Sequence, residues 1–165
     1  MRSAQGEKLM DDTIRKAVSS DTARINELFI QLLQSVYQRE DVHGYENGYL
    51  DKFFQTDDNL IYVAEAGSQV IAYLSIEEHQ EEGGFLYLDD FCVDKAWRGH
   101  GIGTRLLSMA DNYAAEHHFH RIVLHVESTN TRARTLYKNN GYAKYQEING
   151  RIKMIKEVQC AYRAG

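Results

Sequence analysis

The chain of 165 residues has no proline, only two cysteines and one tryptophan. Without proline there is no proline-rich linker, and no repeat or low-complexity stretch divides the chain, so one domain is expected. That length is enough to bury a proper core. Cys92 and Cys160 lie far apart with no C-x-x-C, which excludes a disulfide framework and suits free thiols in a reducing compartment. No apolar run is long enough to span a membrane. The first ten residues, MRSAQGEKLM, lack the apolar core of a signal peptide, so a cytoplasmic protein is expected. They read as a disordered arm or an expression remnant, with a single domain over 11–165. The formal net charge is −5, from 19 basic and 24 acidic side chains. That balance argues against a nucleic-acid partner. It suits a cationic acceptor such as an amine, and solubility alone explains it equally well.

What the chain does have is a strand, a glycine-rich connection and a helix over 86–107, LYLDDFCVDKAWRGHGIGTRLL. Residues 86–93 are apolar apart from Asp89 and Asp90 and follow Gly83-Gly84, which predicts a strand. Strict alternation puts Tyr87, Asp89, Phe91 and Val93 on one face, with Asp90 and Cys92 on the other. Leu106, Leu107, Ala110, Tyr113 and Ala114 recur at helical spacing. Between them lies Arg98-Gly99-His100-Gly101-Ile102-Gly103-Thr104. Glycines just ahead of a helix free its unpartnered first amides, and the helix dipole points the same way, which makes a cradle for a phosphate or pyrophosphate. Arg98 adds a fixed cation at the rim. No lysine follows the glycines, so this is not a nucleoside-triphosphate P-loop. A dinucleotide fingerprint needs a third glycine where Leu106 stands, and only Glu127, where a ribose-binding acid would sit, favours it.

The rest of the chain reads in order. Residues 13–18 suggest a short strand, and Ser19, Ser20 and Asp21 offer a helix N-cap. Ile25, Leu28, Phe29, Leu32, Leu33 and Val36 form an amphipathic stripe. A weaker helix is expected over 45–54. Residues 60–65 and 69–76 suggest a hairpin around Ala66-Gly67-Ser68. Glu77, Glu78, Glu81 and Glu82 read as a solvated loop or as an acidic lip that draws in an amine. His117, His118 and His120 lack metal-ligand spacing and suit a helix C-terminus, so no metal is expected. Residues 121–126 predict a strand and 130–140 a helix closed by Gly141. Strands at 142–147 and 151–158 flank a type I′ turn at Asn149-Gly150.

The sequence R-x-x-G-x-G (Arg98, Gly101, Gly103) directly after a strand resembles the acetyl-CoA-binding motif of the GCN5-related N-acetyltransferase (GNAT) superfamily. A second stretch, His125 to Asn130 (HVESTN) and Leu136 to Tyr142 (LYKNNGY), resembles that family's second cofactor-side segment. The likeness covers roughly 13–158. It implies an α/β fold: a central mixed sheet flanked by helices, whose fourth and fifth strands splay to admit the pantetheine arm. It implies that the backbone at Phe91 and Val93 pairs with that arm. Arg98, Gly99, His100, Gly101, Ile102, Gly103 and Thr104 would hold the pyrophosphate, and Asn130 would contact the arm. Tyr137 would lie beside the sulfur as general acid, a role a phenol with a pKa near 10 can fill. His125 stands where some relatives carry a Glu base, Asp89 competes with it, and a base acting through water would fit either Asp89 or Asp90. A structural histidine and a plain N-cap are the alternative readings of His125 and Asn130. Cys92 inside a strand reads as a small buried hydrophobe rather than a nucleophile.

The implied function is N-acetyl transfer from acetyl-CoA to a primary amine by direct attack, in a ternary complex. The alternative is a non-catalytic acyl-CoA-binding regulatory module on the same fold. The acceptor, small molecule or peptide, is left open. Many relatives are dimers, so a homodimer is a family expectation.

Overall fold

A computed structural model describes residues 13–160; the N-terminal ten residues read as an arm lie outside that range. The elements run β1 (Thr13–Lys16), α1 (Thr22–Tyr37), α2 (Lys52–Gln55), β2 (Asn59–Ala66), β3 (Gln69–His79), β4 (Phe85–Val93), α3 (Ile102–Glu116), β5 (Arg121–Glu127), α4 (Thr131–Asn139), β6 (Ala143–Ile148) and β7 (Arg151–Glu157). The strands form one mixed sheet in the order β1-β2-β3-β4-β5-β7-β6. Only β4 and β5 pair in parallel; the other neighbours are antiparallel. Among the described residues no helix is long and apolar enough to cross a membrane.

Each face of the sheet buries its own apolar cluster. Leu74, Leu86 and Ile122 pack with Leu106, Leu107 and Ala110 of α3 on one face. Ile61, Val63, Tyr73 and Cys92 pack with Ile25 and Leu28 of α1 and Phe53 of α2 on the other. Full burial of each such aliphatic side chain is worth about 1.5–3 kcal/mol, so the two clusters hold α1 and α3 on opposite faces and leave the sheet's open end between them.

Three features depart from the sequence expectations. The helix expected over 45–54 is only a 3₁₀ turn at Tyr49–Asp51 followed by the four residues of α2. Gly48, at φ 81°, stops a helix from starting earlier. Glu77 and Glu78 belong to β3 rather than to a loop. Glu77 pairs with Lys52 at 2.9 Å, and Glu78 accepts from the Tyr113 hydroxyl at 2.6 Å.

The third departure lies in β4. Leu74 faces Phe91 and Ile76 faces Leu88, so Asp89 and Asp90 together oppose Ser75. That is a β-bulge, and the extra residue reverses the alternation. Leu86, Leu88, Phe91 and Val93 therefore lie toward α3. Asp89 and Asp90 both turn toward the α1 side, where Tyr49 and Tyr45 donate to them. The expected grouping of Asp89 with Phe91 and Val93 is thus corrected.

The turn at Asn149-Gly150 has φ of 52° and 75°, the type I′ geometry expected of that dipeptide.

Candidate active site

Strands β4 and β5 pair only from Leu86↔Ile122 to Leu88↔Leu124. Beyond that point both strands continue unpaired with each other, to Val93 and Glu127. The gap opens into a cleft of about 590 Å³. Its walls carry Asp89, Asp90, Phe91 and Val93 from β4, and His125 and Glu127 from β5. The C-terminal half of α1 forms one end, with Leu32 and Val36, and α4 forms the other, with Ala133 and Tyr137.

The glycine-rich connection forms the mouth. Gly101 is the N-cap of α3 at φ 79°, a conformation that costs a residue with a Cβ about 1–2 kcal/mol. Gly103 is helical, and its lack of a side chain serves packing instead. A Cβ there would lie 3.0 Å from Phe91 Cζ and 3.1 Å from Leu136 Cδ2. Arg98, Gly99, Gly101, Ile102, Gly103 and Thr104 line the cleft. The exposed His100 does not, so its side chain adds nothing to the lining. Arg98 Nε donates to the Val93 carbonyl at 3.1 Å, which fixes the guanidinium at the end of β4.

Asn130 caps α4, its Oδ1 accepting from Ala133 N–H at 3.2 Å, and it also lines the cleft. One side chain thus caps the helix and faces the cleft. Asn130→Ala is expected to cost about 1 kcal/mol of stability in urea titrations. A loss of coenzyme A affinity on top of that would report direct contact.

Tyr137 is 8% exposed, and its ring packs against Phe91 and Tyr142 at centroid distances of 6.1 and 5.8 Å. Its hydroxyl lines the cleft and has no hydrogen-bond partner among the described residues. Burial, reinforced by Asp90, pushes its pKa upward, so it is a protonated donor at neutral pH.

Three of the proton acceptors that line the cleft, His125, Asp89 and Asp90, are held by tyrosine hydroxyls. His125 Nδ1 lies 2.8 Å from the Tyr87 hydroxyl. Burial, with Arg151 and Lys153 nearby, lowers the His125 pKa and keeps the ring neutral. Its Nε2 can accept a proton only in the tautomer that gives Nδ1–H to Tyr87. Asp89 accepts from Tyr49 at 3.1 Å, and burial raises its pKa. Asp90 accepts from Tyr45 at 2.6 Å, and burial together with Asp89 pushes its pKa up to about 6. Simple alternation turns Asp90 away from Asp89, so from the sequence it serves as a base only through an intervening water. Tyr45 carries no signal beyond opening the weak helix expected over 45–54.

Two residues read as structural are so. Cys92 is 2% exposed, its thiol points at the Leu28 carbonyl at 3.1 Å, and burial pushes its pKa up to about 12. That is the opposite of an activated nucleophile. His117 stacks on Tyr113 at 4.0 Å at the end of α3.

Comparison with known proteins agrees with this geometry. Residues 24–142 match the model of the acetyltransferase (GNAT) family. An uncharacterized N-acetyltransferase of Bacillus subtilis, YhfO, is 33% identical over 133 residues, spanning 78% of this chain and 88% of that protein. The PaiA N-acetyltransferase of Thermoplasma acidophilum, solved with coenzyme A, superposes with a TM-score of 0.73 at 18% identity, over 90% of this chain and 99% of that one. The spermidine N-acetyltransferase of Vibrio cholerae, solved with coenzyme A and spermine, gives 0.71 at 20% identity, over 90% and 96%. At such identities the structural matches speak for the fold, whereas the family match spans most of the chain. With its splayed strands, glycine-rich helix mouth and second segment in place, this chain belongs to the GNAT family of acetyltransferases.

Proposed function

We propose that the protein transfers an acetyl group from acetyl-CoA to a primary amine by direct attack within a ternary complex. The observation that carries this reading is the gap between β4 and β5, with the free Tyr137 hydroxyl at its inner wall. Backbone groups of β4 beyond Leu88 have no β5 partner, so an extended pantetheine arm can pair with Phe91 and Val93 as an added strand would. The amides from Gly101 to Thr104 accept the diphosphate at the positive end of α3, with Arg98 beside them. Asn130 steadies the arm.

The amine enters between α1, the 38–48 segment and the bulge of β4. Its proton passes to a base on the wall formed by Asp89, Asp90 and His125. The freed lone pair attacks the thioester carbonyl, and Tyr137 protonates the departing sulfur. Two adjacent carboxylates in the cleft, Asp89 and Asp90, favour a cationic acceptor, small molecule or peptide N-terminus. The name of the spermidine-acetylating neighbour is compatible with the former.

The test is thiol release from acetyl-CoA against a panel of polyamines, aminoglycosides, amino acids and peptides. Release above background with at least one amine, with the acetyl group found on its nitrogen, is expected. Tight coenzyme A binding with no turnover on any acceptor would instead mark an acyl-CoA-binding module.

A further inference from the structure

The segment between α1 and the Tyr49–Asp51 turn is seated on α1. The Tyr45 N–H donates to Asn26 Oδ1 at 2.8 Å, and the Tyr45 ring stacks on Phe29 at 3.9 Å and on Tyr49 at 5.1 Å. Gly44 makes the close approach possible, since a Cβ there would lie 2.1 Å from Asn26 Oδ1. This seat brings the Tyr45 hydroxyl within 2.9 Å of the Tyr73 hydroxyl and 2.6 Å of Asp90 Oδ2.

The direction of that hydrogen-bond chain follows from burial. Tyr73 is 0% exposed, and its hydroxyl has only Tyr45 as a partner among the described residues. A buried hydroxyl needs an acceptor for its proton. Tyr73 therefore donates to Tyr45, and the Tyr45 proton is left for Asp90. From behind, the Asp90 N–H donates to the buried Ser75 Oγ at 2.8 Å, which pins the bulge. Asp90 Oδ1 has no hydrogen-bond partner among the described residues, and Asp90 lines the cleft together with Tyr137.

We propose that Asp90 takes the proton of the acceptor ammonium and that Tyr45 is its positioning residue, so that segment 38–48, seated on α1, aims the base and favours its ionised form. The proposal rests on the acetyltransferase reading above. The groups facing Asp90 are Tyr87, Asp89 and Cys92 on β4, Glu77 and Tyr73 on β3, Lys52 on α2, Tyr137 on α4, Tyr45 on the segment and Tyr49 in the turn that follows it. Burial, Asp89 and Glu77 raise its pKa, while the Tyr45 hydrogen bond and Lys52 lower it, leaving it at about 6. Asp90 is thus ionised at neutral pH and close enough to it to cycle. In the reaction the ammonium gives one proton to Asp90, directly or through one water. The nitrogen–carbon bond forms as the carbon–sulfur bond breaks. The thiolate takes the Tyr137 proton, the surplus proton on the amide nitrogen refills the phenolate, and Asp90 releases its proton to water.

The test is the pH profile of kcat/KM, with acetyl-CoA and the amine that gives the fastest thiol release in the panel. For the unmodified protein the acid limb should fall near pH 6, where Asp90 becomes protonated. Tyr45→Phe removes the hydrogen bond that favours the carboxylate, so the limb should move to higher pH by about one unit. The KM for acetyl-CoA should stay within about twofold. Tyr73→Phe should move the limb the same way by less. Asp90→Asn should lose about 10²-fold in rate together with the limb, whereas His125→Gln should keep it. A limb unmoved in Tyr45→Phe, or persisting in Asp90→Asn, overturns the proposal. Failure of every amine in the panel to give thiol release would defeat the acetyltransferase reading instead. The carboxyl 13C titration of Asp90 would still decide the hydrogen-bond chain, by whether its midpoint rises in Tyr45→Phe or stays put.

Discussion

Tyr137→Phe is expected to lower kcat by about 10²–10³-fold while the coenzyme A dissociation constant stays within about twofold. The two quantities separate because the ring and the hydroxyl have different surroundings. The ring packs between Phe91 and Tyr142, and phenylalanine fills the same place. The hydroxyl has no partner among the described residues, so its removal breaks no internal hydrogen bond. Folding stability should therefore change by less than about 1 kcal/mol. The departing thiolate, by contrast, loses the donor set to meet it. Single-turnover kinetics and calorimetry on the same preparation check the pair. Equal losses in rate and affinity would make Tyr137 a packing residue only.

Gly103→Val should weaken coenzyme A binding by at least about 30-fold, corresponding to roughly 2 kcal/mol. The new Cβ would meet Phe91 Cζ at 3.0 Å and Leu136 Cδ2 at 3.1 Å, and two further methyl groups follow it. Phe91 and Leu136 must move, and both line the cleft where the pantetheine arm would run. Overpacking of this kind costs about 1–3 kcal/mol of stability as well. Gly101→Ala serves as the contrast. Nothing lies within 4 Å of its added Cβ, so its cost comes from the φ of 79° alone, about 1–2 kcal/mol of stability. Calorimetric titration with coenzyme A separates the two variants: steric loss at Gly103, and a conformational cost with binding largely kept at Gly101.

Much of this site was legible before any coordinates. Arg98, Gly101 and Gly103 carried the helix mouth, and Tyr137 stood seven residues beyond a capping Asn130. The α1 stripe, the α3 stripe and the Asn149-Gly150 turn followed from periodicity and turn chemistry. What could not be read was the bulge. Asp89-Asp90 contains no glycine to mark it, and an irregularity set by the partner strand leaves no trace in local spacing. Without it, Tyr87 and Asp89 read as facing the same way as Phe91 and Val93, with Asp90 turned away from Asp89. The helix expected over 45–54 gives way to a turn and a short α2 for a related reason. Tyr45 and Tyr49 have helical spacing, yet their rings stack on each other and on Phe29 of α1. That is a tertiary contact, which local propensity does not register. The reach of Arg24 to the Val70 carbonyl and to Asp94, across 46 and 70 residues, is equally invisible in spacing.

The central claim is that a thioester carrier lies in the gap between β4 and β5, with its diphosphate on the amides that open α3 and its sulfur beside Tyr137. The most direct test is a crystal structure of the protein grown with coenzyme A. The account predicts phosphate oxygens on the amides of Gly101 to Thr104 and the sulfur about 3–3.5 Å from the Tyr137 hydroxyl. Coenzyme A bound elsewhere, or a Tyr137 hydroxyl turned away from the sulfur, would contradict it.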